Sequence, residues 1–211
     1  GELSVSGMVE DLEALRRHLK IERMDLIGHS WGGILSMAYA TRYPGHVAHL
    51  VLVGSGDARL TSHEYLFDKL YPDITATIPA DNSLAAQMGC VAIDAYDRMS
   101  YYDQRNLVQA TGPDAPRFSQ DTCTTVMVDA MKLDLYPELA KLDVPTLVIN
   151  GRFDANVAPT VAWRISHAIP GAKLAYFERS GHSPFVEEPE KFALVVEHFL
   201  ADDGDKGAGA R

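Results

Sequence analysis

The stretch M-D-L-I-G-H-S-W-G-G, residues 24–33, decides the fold. Its apolar start, ending at Gly28, is typical of a buried strand, and residues 31–43 have the pattern of a helix. The serine between them, Ser30, stands at the centre of G-H-S-W-G, a match to the turn that reverses a strand into a helix and exposes a strained hydroxyl. Gly28 and Gly32 are expected there because larger side chains at these two positions would crowd each other.

The chain alternates helical and extended patterns outward from this turn. Apolar residues recur at helical spacing over roughly 6–20, just before it. After it, short apolar runs at 49–53, 145–150 and 173–177 predict further strands, and helices open near Pro159 and Pro189. Strands that alternate with helices predict an α/β fold built on a parallel sheet with helices on both faces.

A long insertion separates the second predicted strand from the third. About 90 residues lie between Val53 and Pro145, whereas a strand-helix-strand crossover needs roughly 30. We interpret residues 57–138 as a mostly helical lid over the carboxyl ends of the strands, where open α/β sheets bind ligands. A packing unit without a role in the site is the alternative. The insertion carries Tyr65, Phe67, Tyr71, Met88, Tyr96, Tyr101, Tyr102 and Phe118.

The remaining segments complete the predicted organisation. Residues 1–56 hold the strand-turn-helix around Ser30, and residues 139–202 return to the same core after the insertion. Residues 203–211 consist mainly of Gly, Ala and Asp without periodicity and are predicted to be disordered.

Composition argues against several functional classes. The net charge of −10 over 211 residues leaves no basic patch for nucleic acid. No run of about 18 apolar residues predicts a membrane span, and no secretory signal is visible. Cys90 and Cys123 lack metal-ligand spacing, so we interpret them as reduced thiols of a cytoplasmic protein, with a single disulfide as the alternative.

The serine needs a base and a carboxylate, because a neutral hydroxyl is a weak nucleophile. Asp154 follows the strand at 145–150, and His182, in S-G-H-S-P, follows the strand at 173–177. The carboxyl ends of parallel strands meet at one edge of a sheet, so both side chains are expected beside Ser30. We therefore predict Ser30 as nucleophile, His182 as general base and Asp154 as the acid that orients it.

Three further residues bear on this prediction: one alternative acid, one alternative base and one oxyanion donor. Asp57 follows the strand at 49–53 and competes with Asp154 for the acid role. His29 is expected to pack beside the serine rather than to act as the base. The backbone N–H of Trp31, at the positive end of the helix that follows, is predicted to bind the oxygen of a tetrahedral intermediate.

G-H-S-W-G-G, the G-R-F-D loop at 151–154 and S-G-H-S-P-F-V-E-E-P-E-K-F resemble the α/β-hydrolase superfamily, especially its proline iminopeptidase-like branch. The resemblance covers residues 8–54 and 139–200 well and the insertion only loosely. It implies a triad of Ser30, Asp154 and His182, with Trp31 as one oxyanion donor. It also implies hydrolysis of a small-molecule or short-peptide substrate through an acyl-enzyme, without metal or cofactor.

The chain departs from that family in one respect. Family members have more strands before the helix at 6–20, with a His- and Gly-rich loop that gives a second oxyanion donor. No such loop occurs here, and losing one donor costs about 10²–10³ in rate. The chain therefore resembles the C-terminal part of the fold. We expect it to be truncated at Gly1, or completed by an N-terminal segment or a second chain. Such a segment would pair with the bare edge of the strand that precedes Ser30.

Three functions stay open on the sequence. The leading one is a serine hydrolase of amides or esters, either proline iminopeptidase-like or a carboxylesterase. The second is a carbon–carbon bond hydrolase with the same triad, and the third a non-catalytic ligand-binding role. Iminopeptidases bind a free amino group through acidic lid residues. Seven acidic residues of the insertion are candidates, and none of them matches such a position: Glu64, Asp68, Asp73, Asp81, Asp94, Asp97 and Asp103.

Overall fold

The structure, a computed structural model, describes residues 3–91, 94–106 and 119–201. Its centre is a four-stranded parallel sheet in the described residues, with the strands in chain order from one edge to the other. The strands are β1 (Met24–His29), β2 (Val47–Val53), β3 (Thr146–Gly151) and β4 (Lys173–Phe177). All four carboxyl ends therefore lie on one side of the sheet.

Eleven α-helices accompany the sheet in the described part of the chain. They are α1 (Val5–His18), α2 (Trp31–Arg42), α3 (Phe67–Leu70), α4 (Pro72–Thr75), α5 (Leu84–Gln87), α6 (Asp94–Met99), α7 (Gln120–Ala130), α8 (Tyr136–Leu139), α9 (Pro159–Ala168), α10 (Pro184–Glu187) and α11 (Pro189–Ala201). Short 3₁₀ turns occur at Pro44–His46, Leu60–Ser62 and Gln104–Asn106.

The two faces of the sheet bury alternate residues of each strand, as the pleat requires. Leu50 and Leu52 of β2 belong to a cluster completed by apolar side chains of α1, α2 and α9. Val51 and Val53 point the other way, into a second cluster with α11, to which Phe199 contributes. The α/β fold with a parallel sheet and helices on both faces is thus confirmed.

Local sequence explains where the long helices begin. Ser4 caps α1, because its hydroxyl accepts a hydrogen bond from Gly7 N at 3.0 Å. Proline occupies the first turn of α9, where the missing N–H costs nothing. Pro189 likewise begins α11. The long helices α1, α2, α9 and α11 and the four strands fall within a few residues of their predicted positions.

Residues 57–138 carry short helices in their described part, α3 to α7 and the beginning of α8. Their helical character agrees with the prediction, and their role as a lid stays a prediction. Phe118 and the tail at 203–211 lie outside the described residues.

The two cysteines are joined, contrary to the prediction of reduced thiols. Cys90, fully buried just after α5, forms a disulfide with Cys123 of α7. The sequence could not decide this pairing, because 33 positions separate the two residues and only the fold brings them together. The disulfide links the segment after α5 to helix α7 of the insertion.

Strand β1 is the outer strand of the sheet on one side. It pairs with β2, and no other described strand lies along its far edge. Ile27 pairs in register with Val51 and so faces the α11 side, where its side chain is 54% exposed. Among the described strands, β1, which leads into Ser30, is therefore unpaired along one edge.

Candidate active site

Ser30 occupies a strained backbone conformation between β1 and α2. Its φ of 54° lies in the left-handed region, which only one other described non-glycine residue, Lys20, shares. Three backbone hydrogen bonds hold it there: Ser30 N donates to Val53 O at 3.0 Å, and Ser30 O accepts from Gly33 N at 3.0 Å and from Gly56 N at 3.1 Å. Such strain persists only where the surroundings impose it, and it concentrates at functional sites.

The glycines around the serine do not all act as predicted. A methyl carbon added at Gly28 would lie 2.5 Å from Gly32 O, so glycine is required at Gly28. An equivalent carbon at Gly32 would meet nothing within 4 Å, so the predicted crowding at that position is wrong. A separate close approach occurs at Gly33, where an added carbon would lie 2.2 Å from Ser55 Oγ.

His182 and Asp154 form a buried pair after β4 and β3. His182 Nδ1 lies 2.9 Å from Asp154 Oδ2. The other carboxylate oxygen, Oδ1, accepts hydrogen bonds from Asn156 N and Val157 N, both at 2.9 Å. Because Asp154 is fully buried and its oxygens are acceptors, Nδ1 of His182 carries the proton and Nε2 is left with a free lone pair. That nitrogen can accept a proton from a nearby hydroxyl.

Asp57, the rival acid, is engaged elsewhere. Its Oδ2 accepts a hydrogen bond from Arg164 Nη2 at 2.6 Å, and its Oδ1 accepts one from Tyr136 Oη at 2.7 Å. Ser62 Oγ donates to the same carboxylate at 3.2 Å. These bonds tie β2 to α8 and α9, which gives Asp57 a structural role instead of a contact with His182.

His29, which was expected to pack beside Ser30, packs against the loop of His182. Its Nε2 lies 2.9 Å from the backbone oxygen of His182, and the two ring centroids are 4.6 Å apart. Burial, with a smaller contribution from the neighbouring His182, lowers the pKa of His29 to about 4. A neutral His29 therefore donates its Nε2–H to His182 O, which connects the residue before Ser30 to the loop that carries His182.

Gly54 lies directly against the pair and was not singled out from the sequence. Its φ is +47°, and an added methyl carbon would be 3.1 Å from His182 Nδ1 and 3.2 Å from Asp154 Oδ2. Its position just after β2 was the available signal, since β2 lies between the strands of Ser30 and Asp154.

Three other residues that contact the site were also missed. Ser100 O accepts a hydrogen bond from His182 N at 2.7 Å. Asn156 lies in the turn of Asp154, and Glu187 accepts a hydrogen bond from Gly181 N. No motif marks Ser100 or Asn156, and Glu187 lies in the S-G-H-S-P-F-V-E-E-P-E-K-F stretch without a role that its sequence indicates. These residues contact the site through the meeting of distant segments.

Trp31, the predicted oxyanion donor, directly follows Ser30 at the start of α2. Trp31 is the first residue of α2, so its backbone N–H has no partner within the helix. The structure describes no hydrogen bond between the Ser30 hydroxyl and His182; in unliganded enzymes such bonds are often long or poorly aligned.

In the described ranges, no group of three or more His, Cys, Asp or Glu could hold a metal ion. Nor does any helix in them have the length and apolar character to cross a membrane.

Comparison with known proteins places this geometry in a family. The sequence model of the alpha/beta hydrolase fold matches residues 2–189. A proline iminopeptidase of Clostridium botulinum is 28% identical over 214 residues, which cover 91% of this chain and 71% of that protein. A 2-hydroxymuconate semialdehyde hydrolase of Pseudomonas putida is 29% identical over 213 residues, covering 96% of this chain and 71% of that protein. The resemblance to the iminopeptidase-like branch is thereby confirmed.

A solved structure gives the same result for the fold. The esterase from Exiguobacterium antarcticum superposes with a TM-score of 0.70 at 21% identity, covering 95% of this chain and 75% of that one. A family match over most of the chain, a parallel sheet and the strained turn at Ser30 agree with one another. The chain belongs to the alpha/beta hydrolase fold family and is related to hydrolases.

Proposed function

We propose that this chain carries the nucleophile, base and acid of a serine hydrolase that cleaves small amides or esters. The observation that carries the proposal is the His182–Asp154 pair. A fully buried carboxylate, oriented by two backbone N–H groups, holds the imidazole at 2.9 Å. The pair lies at the same sheet edge as the strained Ser30. A buried, oriented pair of this kind is what a general base needs.

The proposed reaction has two halves. Ser30 Oγ bonds to the substrate carbonyl carbon while its proton passes to His182 Nε2, and the carbonyl electrons move to the oxygen. Trp31 N–H and the positive end of α2 stabilise that oxyanion. The bond to the leaving amine or alcohol then breaks, and His182 returns the proton to it. Water repeats the sequence on the acyl-enzyme, which releases the acid and restores Ser30.

The substrate class is argued from reactivity and relatives. Amides and esters pass through the same acyl-enzyme, and the iminopeptidase relative supports a substrate with an N-terminal proline. The Pseudomonas relative, named as a semialdehyde hydrolase, keeps carbon–carbon bond hydrolysis as the alternative. The part of residues 57–138 that packs beside the His182 loop is proposed as a lid, because Ser100 bonds to His182 directly.

A labelling experiment tests the nucleophile without knowledge of the substrate. A fluorophosphonate should label the wild-type chain once, at Ser30, and leave Ser30→Ala unlabelled. Proline arylamides, short acyl esters and a vinylogous 1,5-diketone then separate peptidase, esterase and carbon–carbon hydrolase. An unlabelled wild-type chain that turns over none of the three would favour the non-catalytic role.

A matched pair of variants tests the acid. Asp154→Asn should lower kcat about 10³–10⁴-fold, because the imidazole loses its orientation and tautomer. Asp57→Asn removes one charge from an equally buried carboxylate, so it should lower the melting temperature while the folded enzyme keeps its kcat. Equal kcat losses in the two variants would contradict the assignment of Asp154.

The cytoplasmic location stays a proposal, with one observation against it. Disulfides persist in oxidising compartments and are rare in the cytosol. The Cys90–Cys123 bond therefore counts against a cytoplasmic protein. Alkylation of free thiols in intact cells, before lysis, would show the oxidation state of the two cysteines and decide between the locations.

A further inference from the structure

The loop that carries His182 is bonded to the insertion. His182 N donates to Ser100 O at 2.7 Å, and Ser100 directly follows α6. The approach is close, since a methyl carbon added at Gly181 would lie 2.4 Å from Ser100 O. The backbone N–H of His182, the proposed base, thus donates a hydrogen bond to a segment about 80 residues earlier in the chain.

Glu187 bridges the same two segments with its carboxylate. Oε2 accepts a hydrogen bond from Gly181 N at 2.5 Å, and Oε1 accepts one from Asp103 N at 3.0 Å. Burial raises the pKa of this carboxyl, and the backbone N–H groups of Asp103 and Gly181 counteract part of that effect. One side chain therefore holds the residue before His182 and the segment after Ser100 at the same time.

The loop of Asp154 joins this arrangement. Asn156 Nδ2 donates to Ser100 Oγ at 2.6 Å, while Asn156 N donates to Asp154 Oδ1 at 2.9 Å. Ser100 Oγ in turn donates to Tyr96 O within the insertion, at 2.8 Å. Residues 100–103, which we name the bridge segment, are therefore bonded to the loops of both His182 and Asp154.

We infer that the bridge segment fixes the position of the base, and that Glu187 is the positioning residue that couples this segment of the insertion to His182. The inference rests on the proposed catalytic roles of His182 and Asp154. Its consequence is that a displacement of the insertion, as on substrate entry, also displaces the base. Because a misplacement of about 1 Å can cost roughly 10²-fold in rate, the coupling acts on kcat more than on substrate affinity.

Three variants test the coupling. Glu187→Gln replaces one acceptor oxygen with an amide that cannot accept an N–H, and Glu187→Asp keeps the charge but shortens the reach. Glu197→Gln makes the same chemical change at an exposed position of α11 and serves as the control. Steady-state kinetics on a short acyl ester, fluorophosphonate labelling rates, melting temperatures and hydrogen exchange are measured on all four proteins.

The coupling predicts a specific pattern. Glu187→Gln should lower kcat and the labelling rate about 10- to 100-fold with little change in KM, and Glu187→Asp should not restore them. Amide exchange at 181–182 and at 100–103 should accelerate together. Kinetics equal to those of Glu197→Gln would overturn the inference, as would rescue by Glu187→Asp or a change in exchange at only one of the two segments.

Failure of the proposed function would look different. A wild-type chain that is inert toward the ester and the fluorophosphonate would refute the catalytic roles. The exchange measurements would still decide whether the two segments move as one. A variant that fails to fold would be recognised by its melting curve, and Asn156→Ala, which removes only the bond to Ser100 Oγ, then takes its place with a smaller expected loss of kcat.

Discussion

Gly54 shows how one residue without a side chain can determine the geometry of a site. It has a positive φ, and a Cβ carbon there would lie only 3.1 Å from His182 Nδ1 and 3.2 Å from Asp154 Oδ2. A side chain there would strain the backbone and press on both members of the pair. Gly54 takes no part in the reaction, but it determines how close the His182–Asp154 pair can lie to β2.

A comparison of two glycines separates these effects. Gly54→Ala and Gly171→Ala both place alanine at positive φ, and each should cost about 1–2 kcal/mol of stability. Only at Gly54 does the new methyl carbon meet the pair, because nothing lies within 4 Å at Gly171. We expect kcat to fall at least tenfold in Gly54→Ala alone, measured on an ester substrate. Similar kcat values for the two variants would contradict a role of Gly54 in the site.

Individual residues of the site were predictable to different extents. Ser30, Asp154 and His182 could be proposed because each follows a recognisable strand and their order is the one this fold uses. The contacts of Ser100, Asn156 and Glu187 were not predictable, since they join segments whose distance depends on the path of the insertion. Gly32 was misjudged because the motif indicates that residues 28 and 32 approach each other, but not that only the side of Gly28 is crowded.

The elements were more predictable than their contacts. Periodicity predicted the four strands and the long helices α1, α2, α9 and α11, because each buries a continuous apolar stripe. The insertion was harder, since its described helices have four to eleven residues and too few turns for a clear stripe. A buried ion pair under α1 also escaped prediction, although Glu13 and Arg16 are spaced to meet on a helix.

The buried pair under α1 should make stability depend on pH. Glu13 is 2% exposed and accepts hydrogen bonds from Arg16, Arg17 and Tyr39. The bond to Arg16 lowers the pKa of Glu13 far below the usual 4.5. A carboxyl with a depressed folded-state pKa contributes stability that is complete above the unfolded pKa and is lost as pH falls below it.

We therefore expect the free energy of unfolding to decrease between pH 5 and pH 3, with a smaller decrease in Glu13→Gln. Urea unfolding at several pH values measures this. Asp11→Asn, exposed on the same helix, should keep the wild-type slope. A Glu13→Gln variant with the same pH dependence as the wild type would show that the ion pair does not account for it.

At the scale of the whole molecule, β1, the strand that leads into Ser30, has no partner on its outer edge among the described strands. Ile27 on β1 is 54% exposed and Leu194 on α11 is 68% exposed. Edge strands with apolar exposure are prone to pair with other chains. We propose that a further polypeptide segment, of the same chain or of a second one, pairs with β1 and supplies the second oxyanion donor.

Residues 1–211 expressed alone should then self-associate. They should also hydrolyse esters with a kcat about 10²–10³-fold lower than that of an enzyme with a complete oxyanion hole. Sedimentation velocity measures the association. Ile27→Lys should reduce it, whereas Leu84→Lys, at an equally exposed position of the insertion, should not. A monomeric, compact and fully active chain would end the proposal.

The bond between Cys90 and Cys123 closes a covalent ring within the chain, and the ring changes what a protease can release. Arg98 and Arg105 lie inside it. After tryptic cleavage at either arginine alone, the two fragments should migrate as one band on a non-reducing gel and separate only with dithiothreitol. Cys123→Ser should release them in both gels. The pair of gels therefore reads the oxidation state of the insertion directly from protein taken out of the cell.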